Sequence, residues 1–361
     1  MNYLNRLLLI TFVISLSSCS ISVDSSAEHW QLGPFEKLDE SNPILKPSTK
    51  LSFRDPIRKE EVFFEEKNVL NPTAVVKDGK VHLLYRAQDS MMTSRIAMAV
   101  SSDGVHFEKQ AAPVFYPDED HLKSYEWPGG VEDPRIVKSE GGDYILTYTS
   151  YDGKTARLFV ATSKDLYTWK KHGPIFKDQK YIDMWSKSGA IVAEQSGTDF
   201  IAKKIDGRYW MYFGDTDLFI ASSTDLISWT VLENAENQKM ISVLHPRPGF
   251  FDSRLVEPGP FALYTDKGIK LIYNASNAKN NNDPQLPEFT YAAGQALFDI
   301  HEPYKLIDRS DSYFIKPDKD YERVGEVNEV CFVEGLVYFN NQWLLYYGTA
   351  DSKVAVAKSA L

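Results

Sequence analysis

Cysteine is nearly missing from this chain: Cys19 and Cys331 are the two among 361 residues. Neither has the spacing of a zinc site, and the two are not expected to form a disulfide, so a cross-linked scaffold is excluded. Positive charge is also short. A net charge of −10 excludes a nucleic-acid partner, because a phosphate backbone needs a basic face, and it disfavours an anionic substrate except at a local basic pocket. The seven histidines form no cluster with ligand spacing, so no metal and no cofactor are expected. Nor is there a long stretch with a sustained 3.6-residue period, which excludes a helical bundle or a doubly wound sheet.

Long apolar runs are scarce as well. The run Leu7 to Leu16 follows Arg6 and precedes Leu16-Ser17-Ser18-Cys19. It is too short to span a bilayer and reads as a signal peptide, residues 1–18. Small residues before a cysteine resemble a bacterial lipobox, in which cleavage leaves Cys19 as a lipid-modified N-terminus. The expectation is a protein of the bacterial cell envelope whose membrane contact runs through that lipid. An ordinary secretory signal cut elsewhere is the alternative. A Ser-rich tether is expected over residues 19–47, and one domain over 48–361.

What the chain has in quantity is aromatics, at 13%, and they recur in order. Lys80-Val81-His82-Leu83-Leu84-Tyr85 alternates and ends in tyrosine. The segments ending at Tyr148, Tyr212, Tyr273 and Tyr346 do the same, each after a Gly or Asn turn. A second element follows the first three: Ser101-Ser102-Asp103 leads to Phe107, Ser163-Lys164-Asp165 to Trp169, and Ser223-Thr224-Asp225 to Trp229. Five strand–turn–strand units at a period of roughly 60 to 70 residues predict an all-β, five-bladed β-propeller.

In such a fold the innermost strands converge on one axis, so polar residues at their entrances share one funnel. Gly129-Gly130-Val131-Glu132-Asp133-Pro134-Arg135 supplies two carboxylates and a guanidinium. Pro134 has no N–H and biases Asp133 towards an extended conformation, placing the run at the mouth of a strand. The other units offer Asn71 with Arg86 and Asp89, Lys187 with Asp215, Glu257 with Asn274, and Asp351. That mixture of carboxylate, amide and cation suits the hydroxyls of a sugar, with inter-blade salt bridges as the alternative for any single residue.

Together with Leu255-Val256-Glu257-Pro258-Gly259-Pro260, Tyr291-Ala292-Ala293-Gly294-Gln295 and Leu345-Tyr346-Tyr347-Gly348-Thr349-Ala350-Asp351, the Asp133 run resembles glycoside hydrolase family 130. The resemblance extends from about Asn71 to Lys358. It implies a mannoside phosphorylase or mannosidase on a five-bladed propeller, with a β-mannoside oligosaccharide as substrate. It makes Asp133 the general acid, acting through a sugar hydroxyl, and gives Arg86, Asp89, Arg135 and Asp351 to the mannose on the non-reducing side of the scissile bond. Asn71, Lys187 and Asn274 complete the expected sugar ligands. Phosphorylases of the family carry a basic pair after the third-unit strand, where this chain has Gly214-Asp215. The expectation is therefore inverting hydrolysis of β-1,2-linked mannosides, with Glu257 activating water and Asp215, one methylene shorter than the glutamate expected there, assisting. Phosphorolysis is the alternative, and a non-catalytic glycan-binding lipoprotein is a further one. Arabinan-active propellers rest on a different carboxylate pattern.

Overall fold

Each tyrosine-ended segment is the second strand of an antiparallel meander, and the alternation that marks it in the sequence is its pleat. The computed structural model describes residues 30–360, so the leader and Cys19 lie outside the described residues. Unit one runs Asn68–Lys77, Lys80–Gln88, Ser94–Ser101 and Glu108–Lys109, and unit two Gly130–Lys138, Tyr144–Tyr151, Ala156–Ser163 and Trp169–Pro174. Unit three is built on Ala190–Ser196, Arg208–Phe213, Leu218–Ser223 and Trp229–Val231. Unit four uses Leu255–Pro258 and Ala262–Thr265, then Gly268–Ser276, Tyr291–Phe298 and Leu306–Arg309. Cys331–Phe339, Gln342–Thr349 and Lys353–Ala360 make unit five. Helix among the described residues is confined to two four-residue turns, Lys123–Glu126 and Asp320–Arg323.

One expected boundary is wrong. Glu36–Lys37 pairs antiparallel with Lys353–Ala360, Leu45 bridges Val354, and the Asn42 amide brackets Val356 from both sides. The later part of the segment expected to be a tether is thus the fourth strand of unit five. The outer edge of the last meander would otherwise carry unpaired backbone groups, and the early chain covers it. Serine content and weak patterning hid this, because a two-residue strand leaves no periodicity to read.

The five repeated tyrosines are fully buried, and every hydroxyl finds an acceptor. Tyr85 donates to Glu65 at 2.8 Å, Tyr148 to Glu126 at 2.9 Å and Tyr273 to Asp252 at 2.9 Å. Tyr212 and Tyr346 donate to the carbonyls of Pro303 and Gly104 at 2.7 and 2.8 Å. A ring of that size fills the space between strands, while its one polar atom ties the unit to a neighbouring segment. The Ser–Asp turns are equally regular. Ser101, Ser163 and Ser223 hydroxyls accept backbone N–H groups two and three residues on, and Asp103, Asp165 and Asp225 do the same one step later.

The inner strands carry the feature that builds the site. Register slips at Leu70/Thr73, Glu132/Arg135 and Val333/Gly335. The slips of units one and two hold Asn71-Pro72 and Asp133-Pro134, with Asn71 and Asp133 in the left-handed region at φ 46° and 47°. A bulge frees the extra residue from the ladder, and proline suits it because no ladder N–H is needed there. The side chain at the bulge is then turned out of the alternation and inward. Unit three achieves the same with Ser188, at φ 59°, before Gly189. Unit four differs: Glu257 stays in register opposite Asn274 on the strand Leu255–Pro258.

Units one and two meet where Ser94 pairs with Gly130. Gly130 sits at φ 109°, and a Cβ there would stand 2.1 Å from the Ser94 carbonyl oxygen. Gly130→Ala therefore lowers the thermal midpoint, by about 5 °C or more. A midpoint unchanged in differential scanning calorimetry would show that the two units do not rely on this close approach.

Candidate functional site

All five units contribute to one polar cavity of about 130 Å³, lined by Asn71, Arg86, Asp133, Lys187, Glu257, Tyr291, Val330, Phe332 and Asp351. At its centre stands Asp133, 3% exposed. Its Oδ1 lies 3.2 Å from Arg86 Nη1 and its Oδ2 lies 3.0 Å from Lys187 Nζ. Arg86 also reaches Glu132 at 2.7 Å and Ser94 Oγ at 2.9 Å. One carboxylate thus joins guanidinium and ammonium groups from units one and three. Burial works to raise the Asp133 pKa, but the charges of Lys187, Arg86 and Arg135 outweigh it and hold the carboxyl below its usual range. Burial likewise opposes the charge on Lys187, yet Asp133, Glu257 and Glu132 leave its pKa raised.

Glu257 behaves in the opposite way. It is buried, accepts a hydrogen bond from the Ser188 hydroxyl, and makes no ion pair as close as those of Asp133. Burial pushes it up to about 7, against the pull of Lys187 and Arg135. Asp351, at φ 48°, is pushed up to about 6 by burial despite Arg86. Asp133 and Glu257 thus share one cavity with well-separated proton affinities, which acid–base chemistry on a polar substrate requires.

Several residues expected at this site are placed elsewhere. The Asn274 amide donates to the Val333 carbonyl at 2.9 Å and accepts the Val333 N–H at 2.7 Å; it is consumed in clamping unit four to unit five. Arg135 lies beneath the cavity. Its Nε and Nη2 donate at 2.6 Å to the carbonyls of Gly259 and Pro258, and Glu334 lies 2.8 Å from Nη2. Asp89 is fully buried, its oxygens taken by the N–H groups of Met91 and Thr93 and by Arg95 and Arg58. Asp215 does not line the cavity; its Oδ2 accepts the Trp185 indole N–H at 2.7 Å. In each case the residue type suited a sugar, but a nearer backbone or side-chain partner claims it. The sequence reading also missed Tyr291, Val330 and Phe332, although Tyr291 opens the Tyr-Ala-Ala-Gly-Gln motif. Among the described residues no group of His, Cys, Asp and Glu is arranged to hold a metal ion.

Comparison with known proteins adds independent findings. A family model described as beta-1,4-mannooligosaccharide phosphorylase matches residues 35–361. A 1,2-beta-oligomannan phosphorylase of Thermoanaerobacter sp. is 31% identical over 311 residues, covering 83% of this chain and 92% of that protein. The crystal structure of a putative glycoside hydrolase from Parabacteroides distasonis is 44% identical, with a TM-score of 0.90 over 92% of this chain and 98% of that one. A further solved structure is 43% identical, with a TM-score of 0.90 over 92% and 95% of the two chains. It comes from work on glycoside hydrolases, within a family of mannoside phosphorylases, that target beta-1,2 mannosidic linkages in Candida mannan.

The clamp made by Asn274 yields a direct prediction. Asn274→Ala strands the buried N–H and carbonyl of Val333 and costs about 2–6 kcal/mol of stability, at about 1–3 kcal/mol per unsatisfied group. Denaturant unfolding measures this. Unchanged stability with a raised KM for substrate would return Asn274 to the sugar site.

Proposed function

We propose that this chain, which belongs to glycoside hydrolase family 130, hydrolyses β-mannosides, with β-1,2-linked manno-oligosaccharides as the preferred class, on a five-bladed propeller. The propeller reading rests on five meanders whose inner strands all reach the same cavity. The observation that carries hydrolysis is the charge balance of that cavity. Its two cations, Arg86 and Lys187, are both committed to Asp133, and Glu257 and Asp351 stand beside them. A phosphate dianion finds no uncommitted cation among these lining groups, whereas a water molecule beside Glu257 finds a base.

In the proposed reaction Glu257 takes a proton from water, the water oxygen bonds to the anomeric carbon, and the glycosidic oxygen leaves with a proton that originates on Asp133. The configuration inverts. Asp133 cannot hold that proton in the empty site, because Lys187 and Arg86 keep it ionised. Sugar hydroxyls that draw Lys187 away would leave the carboxyl to the effect of its burial, which raises its pKa. Arg86 and Asp351 are assigned to the sugar on the non-reducing side, Asn71 beside them. Arg135 is assigned a positioning role, since its hydrogen bonds join unit two to the Pro258–Gly259 backbone that follows Glu257. No metal or cofactor takes part. The leader points to lipid attachment at Cys19 and to a bacterial envelope.

Phosphorolysis is the second reading, and the names of the curated relatives favour it. Product analysis on β-1,2-mannobiose separates the two. Free mannose in phosphate-free buffer is expected; strict dependence on phosphate, with mannose 1-phosphate as product, would establish the second reading.

Two further outcomes follow from the carboxyls. The free enzyme must hold Glu257 ionised and Asp133 protonated. With Glu257 pushed up to about 7 and Asp133 held low by Lys187 and Arg86, the two requirements offset each other below neutrality. The value of kcat/KM is therefore level there and falls about tenfold per pH unit above about pH 7. A fall on the acid side of neutrality with none on the alkaline side would exclude this pairing of acid and base. Asp133→Asn keeps the shape but carries no transferable proton, and turnover drops by about 10²–10⁴-fold. Near-normal turnover in that variant would put the acid elsewhere.

A further inference from the structure

Trp185 is 50% exposed, one of several half-exposed aromatics with Tyr167 at 48% and Phe289 at 45%. It is nonetheless fixed. Its indole N–H donates to Asp215 at 2.7 Å, and the Ser186 N–H that follows donates to the Ala156 carbonyl of unit two at 3.0 Å. Two residues on, Lys187 lines the cavity and contacts Asp133.

Asp215 is held just as firmly. The Gly214 N–H donates to the Lys187 carbonyl at 2.9 Å, and the Thr216 carbonyl accepts the Val256 N–H at 3.0 Å. Asp215 therefore sits on backbone tied both to the segment bearing Lys187 and to the strand bearing Glu257. Gly214 adopts φ 126°, and a Cβ there would approach the Asp217 carbonyl oxygen to 2.2 Å, so the turn admits only glycine without rearrangement. A tied-down turn presents a carboxylate, the carboxylate takes the one polar atom of the indole, and the apolar ring, two residues before the cavity-lining Lys187, is left open to solvent.

We propose that Trp185 is the platform on which the leaving-side sugar ring of the substrate stacks, and that Asp215 is the positioning residue that sets the indole and does not activate water. The inference rests on the glycosidase reading above and gives it a second subsite. An aromatic face covers the C–H face of a pyranose ring while the sugar hydroxyls remain free for polar partners, and a pre-fixed ring loses little entropy on binding.

The test compares Trp185→Ala, Asp215→Ala and Asp215→Asn. The amide oxygen of the last can still accept the indole N–H. On β-1,2-mannobiose, Trp185→Ala and Asp215→Ala are expected to raise KM about tenfold, the size of a lost aromatic contact, with kcat within about threefold, and Asp215→Asn to stay close to the parent. On β-mannosyl fluoride, whose leaving group has no ring, all three are expected to match the parent. A loss of kcat by Asp215→Asn on both substrates would place Asp215 in the chemistry and overturn the proposal, as would an unchanged KM in Trp185→Ala. Binding separates this from failure of the glycosidase reading. Calorimetric titration of the Asp133→Asn protein with β-1,2-mannobiose, with and without Trp185→Ala, needs no turnover. Affinity that depends on Trp185 supports the platform even if the parent releases no mannose. Affinity indifferent to Trp185, or no binding, overturns it.

Discussion

The site depends on one carboxylate held between two cations from different units. Asp133 reaches Arg86 of unit one and Lys187 at the start of unit three, and these ion pairs lie in a buried cavity where leaving either partner alone would be costly. The geometry of the neighbours follows from it. Lys187 fixes the segment that carries Ser188, Ser188 donates to Glu257, and Arg135 below ties unit two to the backbone that follows Glu257. The electrostatics also follow. Because Asp133 absorbs the positive charge, Glu257 and Asp351 are left to the effect of burial and sit near neutrality in proton affinity. Removing Asp133 would release two buried cations onto those carboxyls, so the three titrations are linked.

The strands bring this charge together by a local device. Bulges at Asn71-Pro72 and Asp133-Pro134, and the turn at Ser188-Gly189, spend ladder hydrogen bonds at the inner ends of units one, two and three. Non-glycine residues in the left-handed region carry a cost of order 1–3 kcal/mol each. The buried tyrosines and the Ser–Asp turns around them offset that cost with dense packing and fully used hydrogen bonds, which is why the strain can persist at the centre of the molecule.

Much of this was legible in the sequence, and for physical reasons. The tyrosine-ended strands announce themselves because a pleat imposes period two, and the Ser–Asp turns because the same side chains must cap the same N–H groups each time. Asn71 and Asp133 could be found because proline beside a polar residue marks the place where a strand departs from its ladder. Asn274, Asp89 and Asp215 were misplaced for the complementary reason. An amide or carboxylate at the right distance from a strand end says nothing of which partner is nearer. For these the partners come from segments distant in sequence or from side chains across a turn: Val333 for Asn274, Arg95 for Asp89, Trp185 for Asp215. The strand Glu36–Lys37 was missed because two residues are too few to show a period.

The central claim is that water attacks the anomeric carbon from the face opposite the leaving oxygen, with Glu257 as its base. Proton NMR of the first turnovers on β-1,2-mannobiose, recorded in phosphate buffer before mutarotation, tests this most directly. The non-reducing mannose is expected to appear first as the free α-anomer. Its appearance as the β-anomer would contradict inversion, and its appearance only as mannose 1-phosphate would contradict water as the nucleophile.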